Sequence, residues 1–196
     1  NCCFQCSMHR EFEPPVAPAN YQPPTSAEEL LLRYGAGERY FQDAALGGAE
    51  LSGANLSHIN LEDADLEDAQ LDGANLDGAW LRSANLEDAN LAGASLVNAN
   101  LRGAYFHNAT FEGANLKHAA IPSGNGRESC FRNATLVECN LRFINLIAAD
   151  LEGADLSHSW LDDARLSRAN LTHATLIGVN LDSVDLLSAK LDGIIR

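Results

Sequence analysis

The sequence predicts an all-β solenoid closed at its N-terminal end by one short α-helix, and three observations predict it. From position 41 to 121 a large apolar residue returns at every fifth place, nearly always Leu, as at Leu46, Leu51, Leu56, Leu61 and Leu66. Two residues before each stands a small residue, usually Ala, as at Ala49, Ala54, Ala64, Ala69 and Ala74. Just ahead of the repeat the pattern changes to that of a helix.

A period of five fits neither the 3.6 of an α-helix nor the 2 of an extended strand. It requires a mixed unit. When Ala and Leu of one pentad lie on a short extended segment, alternation points both inward and the residue between them outward. The next two residues then turn a corner and reset the phase. Such a unit has no core of its own until neighbours stack, which is the definition of a solenoid. Alanine at the second inward place implies a narrow interior, since Leu at both would overfill it.

The run A-(D/N)-L-x-x resembles the pentapeptide repeat proteins, and the match holds in register over residues 41–196. What the resemblance implies is a right-handed quadrilateral β-helix with four pentads per coil. At roughly 4.8 Å between stacked strands, the rod is on the order of 35 Å long.

Residues 1–24 lack periodicity and hold five of the chain's prolines, including Pro14, Pro15, Pro18, Pro23 and Pro24, so they are expected to form an extended or disordered arm. Cys3 and Cys6 make a C-x-x-C pair with Cys2 and His9 nearby. That is a weak candidate for a zinc clip, against the plainer reading of free thiols or an intermolecular disulfide. Residues 25–36 form the capping helix: Ser26 with Glu29 is a capping box, good helix formers follow, and Gly35 offers a stop. Leu30, Leu31 and Tyr34 give that helix an apolar face for the open end of the first coil. The segment through Arg39 and Phe41 resembles the lead-in of cyanobacterial pentapeptide proteins of the heterocyst-differentiation type.

Residues 37–196 are the repeat itself, interrupted at 122–130. There Pro122, Ser123, Gly124, Asn125 and Gly126 replace the pattern, which resumes at Phe131 in the same register. This stretch reads as a loop, and a Pro-Ser-x-Asn-x-Arg segment resembles the loop that interrupts coils in those cyanobacterial members. It is either a functional loop or a tolerated surface insertion. Asn125, Arg127, Glu128 and Arg132 add polar groups with no core role. Cys130 falls on it, whereas Cys139 holds an inward place and is expected to be an inert core thiol.

Folding twenty residues per coil onto four sides predicts stacked columns. Phe111 and Phe131 share one, so their rings should stack. Trp80 and Trp160 share an outward column four coils apart and are candidate contacts. Phe143, Ile147 and Leu187 fall at outward places near one corner and form a candidate apolar patch. His118, Glu138 and His158 share an outward column as well, a chance alignment or a metal site. At the C-terminus either Ile194 and Ile195 seal the last coil, or two rods meet end to end in a homodimer.

Composition bounds the function. The 196 residues suit one domain with a small appendage and carry a formal net charge of −14. That charge argues against nucleic acid as partner and favours basic proteins. Acids outnumber bases twelve to two over residues 41–116 and ten to eight over 117–196. They gather at Glu62, Asp63, Asp65, Glu67 and Asp68, either for a basic partner or as a solvated surface. No apolar run approaches the length of a membrane span, so a cytoplasmic protein is favoured. The start at Asn1 is compatible with a processed leader or an excised domain. No phosphate-binding loop and no nucleophile motif is present, so neither an enzyme nor a cofactor is expected. Two functions remain: a non-catalytic, regulatory adaptor for a protein partner, and an acidic DNA mimic that binds gyrase or another DNA-binding protein, as the family's quinolone-resistance members imply.

Overall fold

The computed structural model describes residues 13–196. Parallel bridges pair the outward residue of a pentad with the one twenty places on, as Tyr40 with Asn60, Asn60 with Trp80, Trp80 with Asn100 and, near the end, Thr175 with Ile195. Four pentads therefore make one coil. Two backbone N–H groups of a pentad donate to the next coil, as Leu46 N–H does to Asp65 O at 2.8 Å and Gly48 N–H to Glu67 O at 2.7 Å, whereas Asp163 N–H donates to the Ser183 hydroxyl instead. A third donates to the previous one, as Asp65 N–H does to Ala44 O.

The corners are β-turns closed on themselves, for example from Ala49 N–H to Leu46 O at 3.0 Å, whereas Cys139 N–H donates to the Ser159 hydroxyl instead. The third residue has φ near +60°, the signature of a type II turn, at every corner from Asp43 to Gly193 except Ser183. Glycine, Asn and Asp adopt that φ at least cost, which is why Gly48, Gly53 and Asp63 stand there. The second turn residue has an N–H with no backbone partner, and the Asn or Asp two places earlier supplies one. Asn75 Oδ1 accepts from Asp77 N–H at 3.0 Å, and Asp155 Oδ1 from Ser157 N–H at 2.9 Å. The polar letter of the repeat is thus a turn cap.

The loop expected at 122–130 does not exist. Bridges run unbroken through it, from Tyr105 to Asn125 to Asn145 and from Thr110 to Cys130 to Asp150. Pro122 sits at the second place of a turn closed from Gly124 N–H to Ile121 O at 3.2 Å, where a proline is favoured. Gly124 and Gly126 hold the two inward places of an ordinary pentad and are buried. Their missing side chains are replaced by Phe106, twenty residues before Gly126. A Cβ on Gly126 would lie 1.9 Å from Phe106 Cε2, and one on Gly124 would lie 2.8 Å from Cε1. A large ring in one coil and two glycines in the next fill the same volume that Leu and Ala fill elsewhere. Cys130 is accordingly a half-buried ladder residue, not a loop tip.

One core of Leu, Ala and Phe fills the solenoid from Phe41 to Leu176. Phe111 and Phe131 stack face to face at 4.7 Å, with Phe106 set edge-on to both. Cys139 and Ser159 take the alanine place in successive coils. Their side chains donate inward, Cys139 Sγ to Leu116 O at 2.9 Å and Ser159 Oγ to Leu136 O, and burial pushes the thiol up to about 12.

The two ends differ. Helix α1 (Ala27–Gly35) is capped by Ser26 Oγ, which accepts from Glu29 N–H, and places Leu30 in full burial. Tyr34 ties it to the first coil through its hydroxyl, which donates to Ser57 O at 2.9 Å. Under this cover Phe41 and Leu46 are as buried as any mid-rod residue. The arm is not free where it is described: Pro15 O accepts from Gln42 and Asn60 side chains, Tyr21 hydroxyl donates to Gln42 O, and Pro24 O accepts from Ala45 N–H. At the other end Val179, Leu181, Val184 and Leu186 are only partly covered, and Leu191 is 37% exposed. Ile195 points outward and Ile194 is half-buried, so the two do not seal the coil.

Candidate functional site

The register defines four sides. Side one carries the inward residues Leu61, Leu81, Leu101, Ile121, Leu141 and Leu161; side two follows in each coil with Leu66, Leu86, Phe106, Gly126, Leu146 and Leu166. All the residues expected to meet a partner lie on these two adjoining sides, except Arg132 on side three.

Five of them fill one coil. Glu62 and Asp63 turn the corner between the two sides, Asp65 is the outward residue of side two, and Glu67 and Asp68 turn the next corner. Glu87 and Asp88 stack directly on Glu67 and Asp68. The repulsion of stacked like charges is eased locally: Asn85 Nδ2 donates to Asp65 Oδ1 at 3.2 Å and to Glu67 Oε2 at 3.3 Å. Glu62 is half-buried, and burial raises its carboxyl above the usual range, with Arg82 one coil on opposing the shift and Asp63 adding to it.

Further along, the sign changes. In the side-two column that begins with Glu67 and Glu87, the next residues are His107, Arg127, Ile147 and Ser167. Arg127 pairs with Glu128 at 3.0 Å, and its carbonyl contacts His107 Nδ1 at 2.7 Å. Asn125 is a rung of an amide ladder, its Oδ1 accepting from Asn145 Nδ2 at 3.0 Å. Arg132 spans Asp150 and Glu152 on side three at 3.1 and 2.8 Å, and Asn170 donates to the same two carboxylates.

The apolar candidates do not form one patch. Residues four apart stand at opposite ends of a five-residue side, so Phe143, 57% exposed, is separated from Ile147 by the width of side two. Leu187 shares the column of Ile147 but two coils on, with Ser167 between. Trp80 and Trp160 do share the outward column of side one, through Asn100, Ala120 and Asn140. The Arg142 guanidinium lies 5.0 Å over the Trp160 ring and pairs with Asp162 at 2.7 Å.

The histidine column does not converge. Each corner side chain leans onto the next coil, so His118 Nδ1 meets Glu138 at 3.2 Å, whereas His158 covers Gly178, whose Cβ it would meet at 2.5 Å. Among the described residues no three His, Cys, Asp or Glu groups are set to hold a metal. Cys3, Cys6 and His9 lie outside the described residues, and no described helix is long and apolar enough to cross a membrane.

A family model described as pentapeptide repeats matches in eight copies, over residues 49–88, 84–119, 130–159, 149–186 and 161–195. The chain belongs to the pentapeptide repeat family. Its fold is that family's right-handed quadrilateral β-helix, with α1 as the N-terminal cap. The stretch that the copies skip is the side bearing Gly124 and Gly126. Among solved structures the chain is similar to HetL, a pentapeptide repeat protein involved in heterocyst differentiation regulation from the cyanobacterium Nostoc sp. strain PCC 7120. Identity is 28%, covering 87% of this chain and 94% of that one, with a TM-score of 0.46. It is also similar to a thylakoid-lumen member from Arabidopsis thaliana, at 29% identity over 56% and 70% of the two chains and a TM-score of 0.37. QnrB1, a plasmid-mediated fluoroquinolone resistance protein, matches at 23% identity over 78% and 84%, with a TM-score of 0.35. No functionally curated protein matches the chain.

Proposed function

We propose that this pentapeptide repeat protein is a non-catalytic, regulatory adaptor that presents sides one and two to a protein partner. The observation that carries this reading is the change of charge along those sides. A mimic of duplex DNA needs rows of negative charge that continue at a steady spacing. Here the acidic rows are short: Glu62 gives way to Arg82 and Arg102 on the next coils, and Glu67 and Glu87 give way to His107 and Arg127. Such a surface suits a partner with its own pattern of charge, while exposed Phe143 supplies apolar area.

The test is capture of partners from a host lysate on the immobilised chain. The adaptor reading expects the Phe143→Ser bait to lose a protein that the wild type retains. A bait with Glu62, Asp63, Glu67 and Asp68 changed to their amides should keep it. Recovery of gyrase or another DNA-binding protein that disappears with the amide bait would replace the adaptor by the mimic.

A second copy joined end to end is a further proposal for the C-terminal coil, where Leu187, Leu191 and Ile195 are exposed at 73%, 37% and 53%. Sedimentation over a wide concentration range should show a dimer that Leu191→Asp dissociates; a monomer throughout removes it.

A further inference from the structure

We infer that side one between Trp80 and Trp160 is a docking surface for a short acidic segment of a partner protein, an inference that rests on the adaptor reading and gives the partner its chemistry. The two tryptophans share one outward column, separated by Asn100, Ala120 and Asn140. At about 4.8 Å per coil they stand roughly 19 Å apart, the length of some six extended residues at ~3.3 Å each. The chain holds only these two tryptophans.

Beside this floor runs a second column, Arg82, Arg102, Pro122 and Arg142, whose carbonyls each receive one hydrogen bond from the preceding coil. From Trp80 to Phe143 side one contains three arginines and no acid, in a chain with 27 acids against 13 lysines and arginines. Arg142 is held by Asp162 and Trp160. Arg102 is exposed and meets no carboxylate at ion-pair distance among the described residues, and its column neighbours are another arginine and a proline. Burying no partner of its own, it is available to a carboxylate in the two-pronged geometry that guanidinium favours.

The floor has the same polarity. Asn100 and Asn140 spend their Oδ1 atoms on Arg102 N–H and Arg142 N–H, at 3.1 and 3.3 Å. Their Nδ2 groups donate to nothing among the described residues, because Trp80, Ala120 and Trp160 offer no side-chain acceptor in the ladder. Elsewhere such amides are used, as Asn90 Nδ2 is by Gln70 and Asn145 Nδ2 by Asn125. With Arg142 held by Asp162 and Arg82 set against Glu62, the surface presents the Arg102 guanidinium and the two amides as donors without an acceptor among the described residues, between indoles of the kind that anchor interfaces.

The ends set the length. Glu62 and Asp63 stand one coil before Trp80, and Asp162 and Asp163 adjoin Trp160. A long uniform polyanion such as nucleic acid would run over both pairs, whereas a segment of about six residues fits between them. The expected basic partner is therefore the wrong sign for this part of the rod.

The experiment uses fluorescence anisotropy of a labelled peptide of alternating glutamate and serine, titrated with the full chain at low salt. Binding is expected, weakening at least tenfold in Arg82→Gln/Arg102→Gln and in Ala120→Glu, and unchanged in Lys117→Gln, an exposed base outside sides one and two. Circular dichroism melts of the variants, all at outward places, confirm that they fold. A lysine-serine peptide of equal length should not bind. Equal or tighter binding of oligothymidylate would overturn the inference in favour of a nucleic-acid surface. So would no binding of the acidic peptide, or binding indifferent to both variants. If the Phe143→Ser bait still loses its partner in that case, the adaptor reading stands without this surface.

Discussion

Gly126→Leu, which restores the residue the repeat uses elsewhere, is expected to destabilise the solenoid by about 1–3 kcal/mol or more, because the inward space is already occupied. A Cβ alone would stand 1.9 Å from the Phe106 ring. Phe106→Ala should cost about 3–5 kcal/mol by the opposite error, since it leaves a void over two glycines that carry no side chain to close it. Combining Phe106→Leu with Gly126→Leu returns the larger inward place of both coils to leucine, with Gly124 still in the place of alanine. The double variant should recover most of the loss, giving a coupling of up to about 3 kcal/mol between the two places. Urea unfolding followed by far-ultraviolet circular dichroism measures all four corners of the cycle. Additive effects would show that the ring and the glycines do not share one volume.

Leu30→Asp is expected to cost about 3–5 kcal/mol, combining the loss of a fully buried leucine with a carboxylate placed where no partner waits. The damage should be directional. Phe41 and Leu46 belong to the first coil yet are buried like mid-rod residues, and among the described residues α1 and the arm before it stand beyond them. Without that cover the coils near residues 41–61 should exchange amide hydrogens faster, while coils near 140–160 keep their protection. Leu32→Asp, on the same helix but with the wild-type leucine 75% exposed, should leave both stability and exchange unchanged. Uniform acceleration along the rod would mean that the helix is not a local cap.

Much of this architecture was legible from period alone. A five-residue repeat cannot lie on a simple helix or strand, and its Ala and Leu letters state the volume of a narrow core. The Phe111 and Phe131 stack followed from the twenty-residue coil that the family resemblance implies, and the rings meet at 4.7 Å. The Gly124 to Gly126 segment misled because glycine and proline are the usual marks of a loop. The corrective signal was present, twenty residues away at Phe106, but only as a change in volume at a place normally filled by Leu. A local pattern cannot register such an exchange, since the two partners are neighbours only after the coil closes. The same reason separated Phe143 from Ile147: nearness in sequence becomes the full width of a side.

The candidate surface divided in the same way. Acid clustering at Glu62 to Asp68 is visible in a linear reading because five acids fall within seven residues. The run of Arg82, Arg102 and Arg142 is not, because its members are separated by twenty or forty residues and become neighbours only when the coils stack. By itself the sequence determined the unit, the register, the helical cap and the charge, all of which depend on neighbours along the chain. Only the tertiary structure decided which volumes compensate and which charges share a side, because those depend on contacts made from one coil to the next.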